Sequence, residues 1–171
     1  MEKIKILAIN KEKISVLTQF GILLAITLAA PFMGQQAITG SVVNATLFIS
    51  TAFLGIEAGI LIGLIPSVIS LFVGLLPIAL APMIPFIIIG NAILVVVFKN
   101  FKEKNYWLGI ISASVLKFLF LFGTSSIAVN FIFKKEIAYK FAAMMSWPQL
   151  FTALCGGLIA YVFLKTCKKL N

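Results

Sequence analysis

Charged residues are absent from two unusually long stretches of this chain. None occurs between Lys13 and Glu57, and none between Glu57 and Lys99. A transmembrane helix needs about 20 consecutive apolar residues, so each stretch is long enough for two helices. Charged residues make up 11% of the sequence, whereas soluble domains contain about 25%. The sequence therefore predicts an all-α, polytopic membrane protein.

The side-chain inventory excludes several classes of function. The chain has no His, and its five acidic residues are all Glu. Triads of Ser, His and Asp, HExxH zinc sites and haem ligation by His are therefore excluded. The net charge is +9, but the Lys residues flank apolar runs as topology signals do, and form no basic face for nucleic acid. We predict no enzyme, no metal site and no cofactor.

Proline, glycine and glutamine divide the apolar stretches into six predicted spans. Breaks are expected at 31–40 and 76–85, where such residues concentrate. The second span is short and is expected either to end within the bilayer or to be partly covered by the loop before it. Pro66 is expected to kink the third span. The chain is interpreted as one membrane domain, 1–171, with 1–15 as a short cytoplasmic segment. The predicted spans are 16–32, 41–54, 58–75, 83–98, 107–131 and 148–164.

The distribution of lysines predicts the orientation. Cytoplasmic loops are enriched in Lys and Arg, and three lysine clusters fall on the same side of a six-span chain, which makes both termini cytoplasmic. A fourth cluster, at 134–140, falls on the outer side in this arrangement and disagrees with it. The three agreeing clusters are Lys3, Lys5, Lys11 and Lys13; Lys99, Lys102 and Lys104; and Lys165, Lys168 and Lys169.

Lys117 is the strongest candidate for a functional residue. It lies near the middle of the fifth span, where a Lys costs about 2.5 to 3.5 kcal/mol. Ser114 and Thr124 share its helical face and give that face the polarity of a cavity wall. One interpretation is a cation that awaits an anionic or strongly dipolar ligand. The other is a Lys whose hydrogen bonds go to backbone carbonyls or to an Asn of a neighbouring span. We prefer the first.

Two asparagines and one polar segment are further candidates. Asn44 and Asn91 lie in the second and fourth spans, where an amide could hold a ligand or simply join two helices. The segment between Gly34 and Gly40 is predicted to be a loop on the outer face. It is either a mobile lid or a plain polar loop, and its polar members are Gln35, Gln36 and Thr39.

Small residues recur every four positions along the first span. Gly21, Ala25 and Ala29 form a row that would let another helix approach closely. That helix could belong to this chain or to another protein.

Three segments of the sequence resemble those of a known family. They are Ala25-xxx-Ala29, the Gln-rich segment before Gly40-Ser-Val-Val-Asn44-Ala, and Pro82-Met-Ile-Pro-Phe-Ile-Ile-Ile-Gly-Asn91. With six predicted spans, a chain of this kind resembles the substrate-binding S components of energy-coupling factor (ECF) transporters, and the resemblance covers essentially the whole chain. It implies a bacterial plasma-membrane subunit that binds a vitamin or similar micronutrient from outside and topples in the bilayer to release it. It also implies a membrane coupling subunit and two ATPase subunits as partners, which use the ATP.

The resemblance also implies roles for residues of this chain. The row formed by Gly21, Ala25 and Ala29 would contact the coupling subunit, and 35–39 would gate the pocket. An unpaired Lys117 favours an anionic cargo, such as pantothenate, niacin, lipoate or a folate-like molecule, over riboflavin. The alternative is a structural subunit of a larger membrane complex, in which Lys117 pairs with a partner's carboxylate. The predicted substrate-binding residues are Lys117, Asn44, Asn91, Ser114, Thr124, Gln35, Gln36 and Thr39.

Overall fold

Apolar α-helices form nearly all of the described structure, a computed structural model. It describes the backbone of residues 2–131 and 143–168, and side chains within 13–78, 81–127 and 143–168. This part of the chain contains no strand. Short 3₁₀ helices at Ala30–Met33 and Ile78–Met83 precede the second and fourth α-helices. The α-helices are α1 (Glu2–Ala29), α2 (Gln36–Leu54), α3 (Ile56–Phe72), α4 (Ile84–Lys102), α5 (Tyr106–Phe131) and α6 (Trp147–Thr166).

The helices agree with the six predicted spans, except that α3 and not α2 is the short one. Among the described residues, five segments are long and apolar enough to cross a membrane, whereas α3, with 17 residues, is shorter. The second span was expected to be short, but α2 has 19 residues and begins at Gln36. The predictions that α2 starts at residue 41 and that 34–40 form a loop are therefore wrong.

Glycine conformations explain where the chain turns at this point. Gly34 has φ 71°, in the left-handed region that favours glycine, and it ends the first 3₁₀ helix. Gly40 instead lies within α2, where a Cβ would meet the Thr152 side chain at 3.0 Å. Its lack of a side chain serves helix packing and not a turn, so the helix continues through it.

The helix α2 occupies the centre of the bundle. Its residues 43–51 are all buried, so it is surrounded by other helices along this length. Gly156 permits the closest approach of α6, because a Cβ there would lie 2.7 Å from the backbone nitrogen of Ala45. Residues from the middle of α2 therefore lie directly against both α6 and the cavity described below.

The two ends of the bundle differ in charge. We call one the cavity end; it contains the C-termini of α1, α3 and α5 and the N-termini of α2, α4 and α6. The opposite end, the lysine end, carries every Lys side chain that the structure describes except Lys117. The lysines 134, 135 and 140, which disagreed with the predicted orientation, lie outside the described residues. The lysine end contains Lys13, Lys99, Lys102, Lys104, Lys165 and Lys168.

Candidate substrate-binding site

A cavity of about 100 Å³ lies within the bundle at its cavity end. The helices α2 to α6 and the segments that precede α4 and α6 contribute its described walls, and α1 contributes none of them. One part of the wall is polar and the remainder is apolar. The polar side chains are Gln36, Thr39, Asn44, Ser67, Ser70, Asn91, Lys117 and Gln149, and the apolar part includes Val43, Leu75, Leu76, Ile87, Met144 and Met145.

Lys117 brings a cation to the wall of this cavity. Its residue is only 3% exposed, and its Nζ donates to Asn44 Oδ1 at 2.6 Å and to Asn91 Oδ1 at 2.8 Å. An ammonium group has three N–H donors, so one remains after these two bonds. The interpretation that asparagines of neighbouring spans accept hydrogen bonds from Lys117 is therefore confirmed. The interpretation that Lys117 awaits a ligand stays a prediction, and Lys117 lines a cavity.

The two asparagine side chains are held with their oxygens toward the ammonium. Asn44 Nδ2 donates to Thr152 Oγ1 at 3.4 Å, and Asn91 Nδ2 donates to the Gly63 carbonyl at 2.9 Å. These bonds fix which way each amide faces. The cation is thus stabilised by two neutral dipoles, which leave its charge uncompensated.

The carboxylates that the structure describes are far from this cation. Glu57 lies in the first turn of α3, at the lysine end of the bundle. Glu103 lies at the same end and pairs with Lys99 at 3.1 Å. Within the described part of the chain, the wall of the cavity therefore contains the Lys117 amino group and no carboxylate.

Three other predicted site residues lie outside the cavity wall. Gln35 is exposed just before α2, and the Thr124 hydroxyl donates to the Phe120 carbonyl at 2.8 Å. Ser114 is fully buried and its hydroxyl has no hydrogen-bond partner in the described structure. Leu121 lies between Lys117 and Thr124 on their helical face. It packs against Gly90, where an added Cβ would lie 3.2 Å from the Leu121 side chain. Side chains on one face of α5 therefore do not all reach the cavity.

Two glutamines connect the wall of the cavity to the segment before α6. Gln36 Nε2 and Gln149 Nε2 each donate to the Met144 carbonyl at 3.2 Å. Gln36 was predicted as part of a gate, whereas Gln149 was not identified from sequence. The predicted gate residue Thr39 also lines the cavity, but its hydroxyl donates to the Ala30 carbonyl at 3.0 Å. Gln36 and Thr39 lie in the first turn of α2 and not in a loop.

Sequence reasoning also missed the serines of α3. Ser67 and Ser70 line the cavity next to Pro66. Their spacing of three residues places them on one helical face. Two hydroxyls at this spacing in an otherwise apolar span indicate a polar helical face, and this signal could have identified both serines.

The row of small residues on α1 is open to the surroundings. Gly21, Ala25 and Ala29 are exposed, and no atom lies within 4 Å of a Cβ placed on Gly21. No helix in the described part of the chain covers this row. The partner helix was expected to come from this chain or from another protein. The exposed row is accessible to a helix of another protein.

Comparison with known proteins identifies the family. The family model described as "ECF transporter, substrate-specific component" matches residues 15–166. No curated protein and no solved structure gave a match. Such components are binding subunits of transporters and not enzymes, and the several apolar helices agree with a multi-pass membrane protein. The chain belongs to the family of substrate-specific components of ECF transporters.

Proposed function

We propose that this subunit binds an anionic, vitamin-like micronutrient at Lys117 and delivers it to an ATP-driven ECF complex. The observation that carries the proposal is the ammonium group at the cavity wall, held by the oxygens of Asn44 and Asn91. A buried charge loses several kcal/mol of hydration, and two amide dipoles offset only part of this loss. A bound carboxylate or phosphate supplies the missing opposite charge through a charge-assisted hydrogen bond.

The proposed orientation places the cavity on the outer side of the membrane and both termini in the cytoplasm. It is supported by the lysines at the opposite end of the bundle, because cytoplasmic ends are enriched in Lys. A micronutrient then enters from outside, and ATP is used only by partner subunits. The exposed row of Gly21, Ala25 and Ala29 is the proposed contact with the coupling subunit.

The structural-subunit alternative needs a carboxylate from a partner chain at Lys117. That residue is 3% exposed and already has two partners within its own chain. No feature of the described residues favours this alternative over a ligand.

The proposal is tested with pairs of acids and their neutral counterparts. Purified protein is titrated calorimetrically with pantothenate against panthenol, nicotinate against nicotinamide and lipoate against lipoamide, and with folate. A hydrogen bond to a charged group contributes about 1.5 to 3 kcal/mol. We therefore expect one acid to bind at least about tenfold more tightly than its neutral counterpart.

The variant Lys117→Met keeps a long side chain and removes the charge, so it should abolish binding of that acid. The matched control is Lys104→Met, which removes one exposed charge at the lysine end. Equal affinity for acid and neutral counterpart, or undiminished binding by Lys117→Met, would contradict the proposal. Failure of all four acids to bind would contradict it as well.

A further inference from the structure

Ser67 has a hydroxyl group without a hydrogen-bond partner among the described residues. Its residue is 6% exposed and lines the cavity, yet the hydroxyl makes no hydrogen bond within the described part of the chain. In this it differs from every other polar side chain described at the cavity wall. The others, which all make hydrogen bonds, are Gln36, Thr39, Asn44, Ser70, Asn91, Lys117 and Gln149.

The usual acceptor of Ser67 bonds to another side chain. A Ser in an apolar helix commonly donates to the carbonyl four residues earlier, as Ser70 does to Pro66 at 2.7 Å. For Ser67 that carbonyl belongs to Gly63, which accepts a hydrogen bond from Asn91 Nδ2 at 2.9 Å.

The position of Ser67 relative to the cation follows from the same contact. Asn91 bonds both to Lys117 and to Gly63, and Ser67 follows Gly63 by four residues along α3. In an α-helix the carbonyl oxygen of one residue lies beside the N–H group of the residue four positions later. The hydroxyl of Ser67 is thus close to the Asn91 amide that holds the cation.

We infer that the Ser67 hydroxyl is a second contact for the transported molecule, in addition to Lys117. The inference rests on the proposed function and makes its substrate class more specific. A hydroxyl both donates and accepts hydrogen bonds. The transported molecule is therefore an anion with a second hydrogen-bonding group near its charge. Pantothenate and nicotinate have such a group, whereas the far end of lipoate is an apolar disulfide ring.

The experiment compares Ser67 with a serine outside the cavity wall. Binding of pantothenate and nicotinate is measured for Ser67→Ala and for the matched control Ser112→Ala in α5, whose hydroxyl is already donated to the Leu108 carbonyl. A hydrogen bond of ordinary strength corresponds to an affinity change of about five- to tenfold. We expect this loss for Ser67→Ala with the acid that binds, and less than about a twofold change for Ser112→Ala.

A stability measurement separates this role from a structural one. Removal of a hydroxyl that has no hydrogen-bond partner does not destabilise a fold, so ligand-free Ser67→Ala should melt no lower than the unmodified protein. Equal binding by Ser67→Ala and the unmodified protein would overturn the inference. Lipoate binding as tightly as pantothenate and nicotinate would overturn it too.

These failures are distinct from failure of the proposed function. If Lys117→Met abolishes binding while Ser67→Ala leaves it unchanged, only the role of Ser67 is lost. If Lys117→Met binds normally, or none of the acids binds, the anionic substrate is lost and the role of Ser67 with it.

Discussion

The ammonium of Lys117 depends on two residues that are chemically neutral. Asn44 and Asn91 present oxygens at 2.6 and 2.8 Å from Nζ, and their amide nitrogens are bound to Thr152 and Gly63. An asparagine stabilises a cation without removing its charge, whereas an aspartate at the same place would form an ion pair. The choice of amide over carboxylate thus decides whether the cavity attracts anions.

The substitution Asn44→Asp should therefore abolish anion binding while the fold is kept. It is isosteric and places a carboxylate within hydrogen-bond distance of Lys117. The internal ion pair takes the place of the bound anion. We expect affinity for the bound acid, measured by calorimetry, to fall at least about tenfold.

A matched control changes the same residue type at the lysine end. Asn105 lies just before α5, where its Oδ1 accepts from the backbone nitrogens of Trp107 and Leu108. Aspartate is an equally good residue at such a position. Asn105→Asp should thus leave the affinity for the acid unchanged, and an equal loss in both variants would contradict the explanation by local charge.

The contact between α2 and α6 depends on glycine. A Cβ on Gly156 would lie 2.7 Å from the backbone nitrogen of Ala45 and 2.8 Å from the Ser41 carbonyl oxygen. Backbone atoms of a central helix cannot move aside as a flexible side chain can. The position of Asn44, and through it that of Lys117, therefore follows from how closely these two helices approach.

The substitution Gly156→Ala should separate the two helices and lower stability. Overpacking of this kind costs about 1 to 3 kcal/mol, which thermal unfolding in detergent would detect. The control is Gly123→Ala in α5, where no atom lies within 4 Å of the added Cβ. There alanine should leave stability unchanged or raise it by up to about 1 kcal/mol. Equal melting temperatures of the two variants would contradict a tight contact at Gly156.

The sequence predicted the elements better than their contacts. Charges and prolines placed the ends of α4, α5 and α6 within a few residues, because these signals are local. Gly40 misled the prediction, since a helix breaker and a packing glycine look the same until Thr152 is known to lie beside it. The hydrogen bonds from Lys117 to Asn44 and Asn91 connect three helices. Periodicity along one helix carries no information about partners on other helices.

At the scale of the whole molecule, three features occupy separate surfaces. The cavity lies at one end of the bundle, the described lysines other than Lys117 at the other, and the exposed small-residue row runs along α1. The described wall of the cavity contains no residue of α1. Changes to the exposed face of α1 can therefore affect association with partner subunits without touching the site.

The substitution Ala25→Trp should separate binding from uptake. Its bulky ring would project from the exposed row and prevent close approach of a partner helix, which small residues permit. The purified variant should bind the acid with unchanged affinity. Uptake of the radiolabelled acid by cells that also contain the coupling and ATPase subunits should fall at least about fivefold, since overpacking of a helix contact costs about 1 kcal/mol or more.

The control for this prediction is Ile111→Trp, at a half-exposed position of α5. It adds a ring of the same size to a different surface, so uptake should stay near that of the unmodified protein. Normal uptake by Ala25→Trp would show that the coupling subunit binds elsewhere. Loss of binding in Ala25→Trp would instead show that α1 and the cavity are coupled, which the separation of the two surfaces argues against.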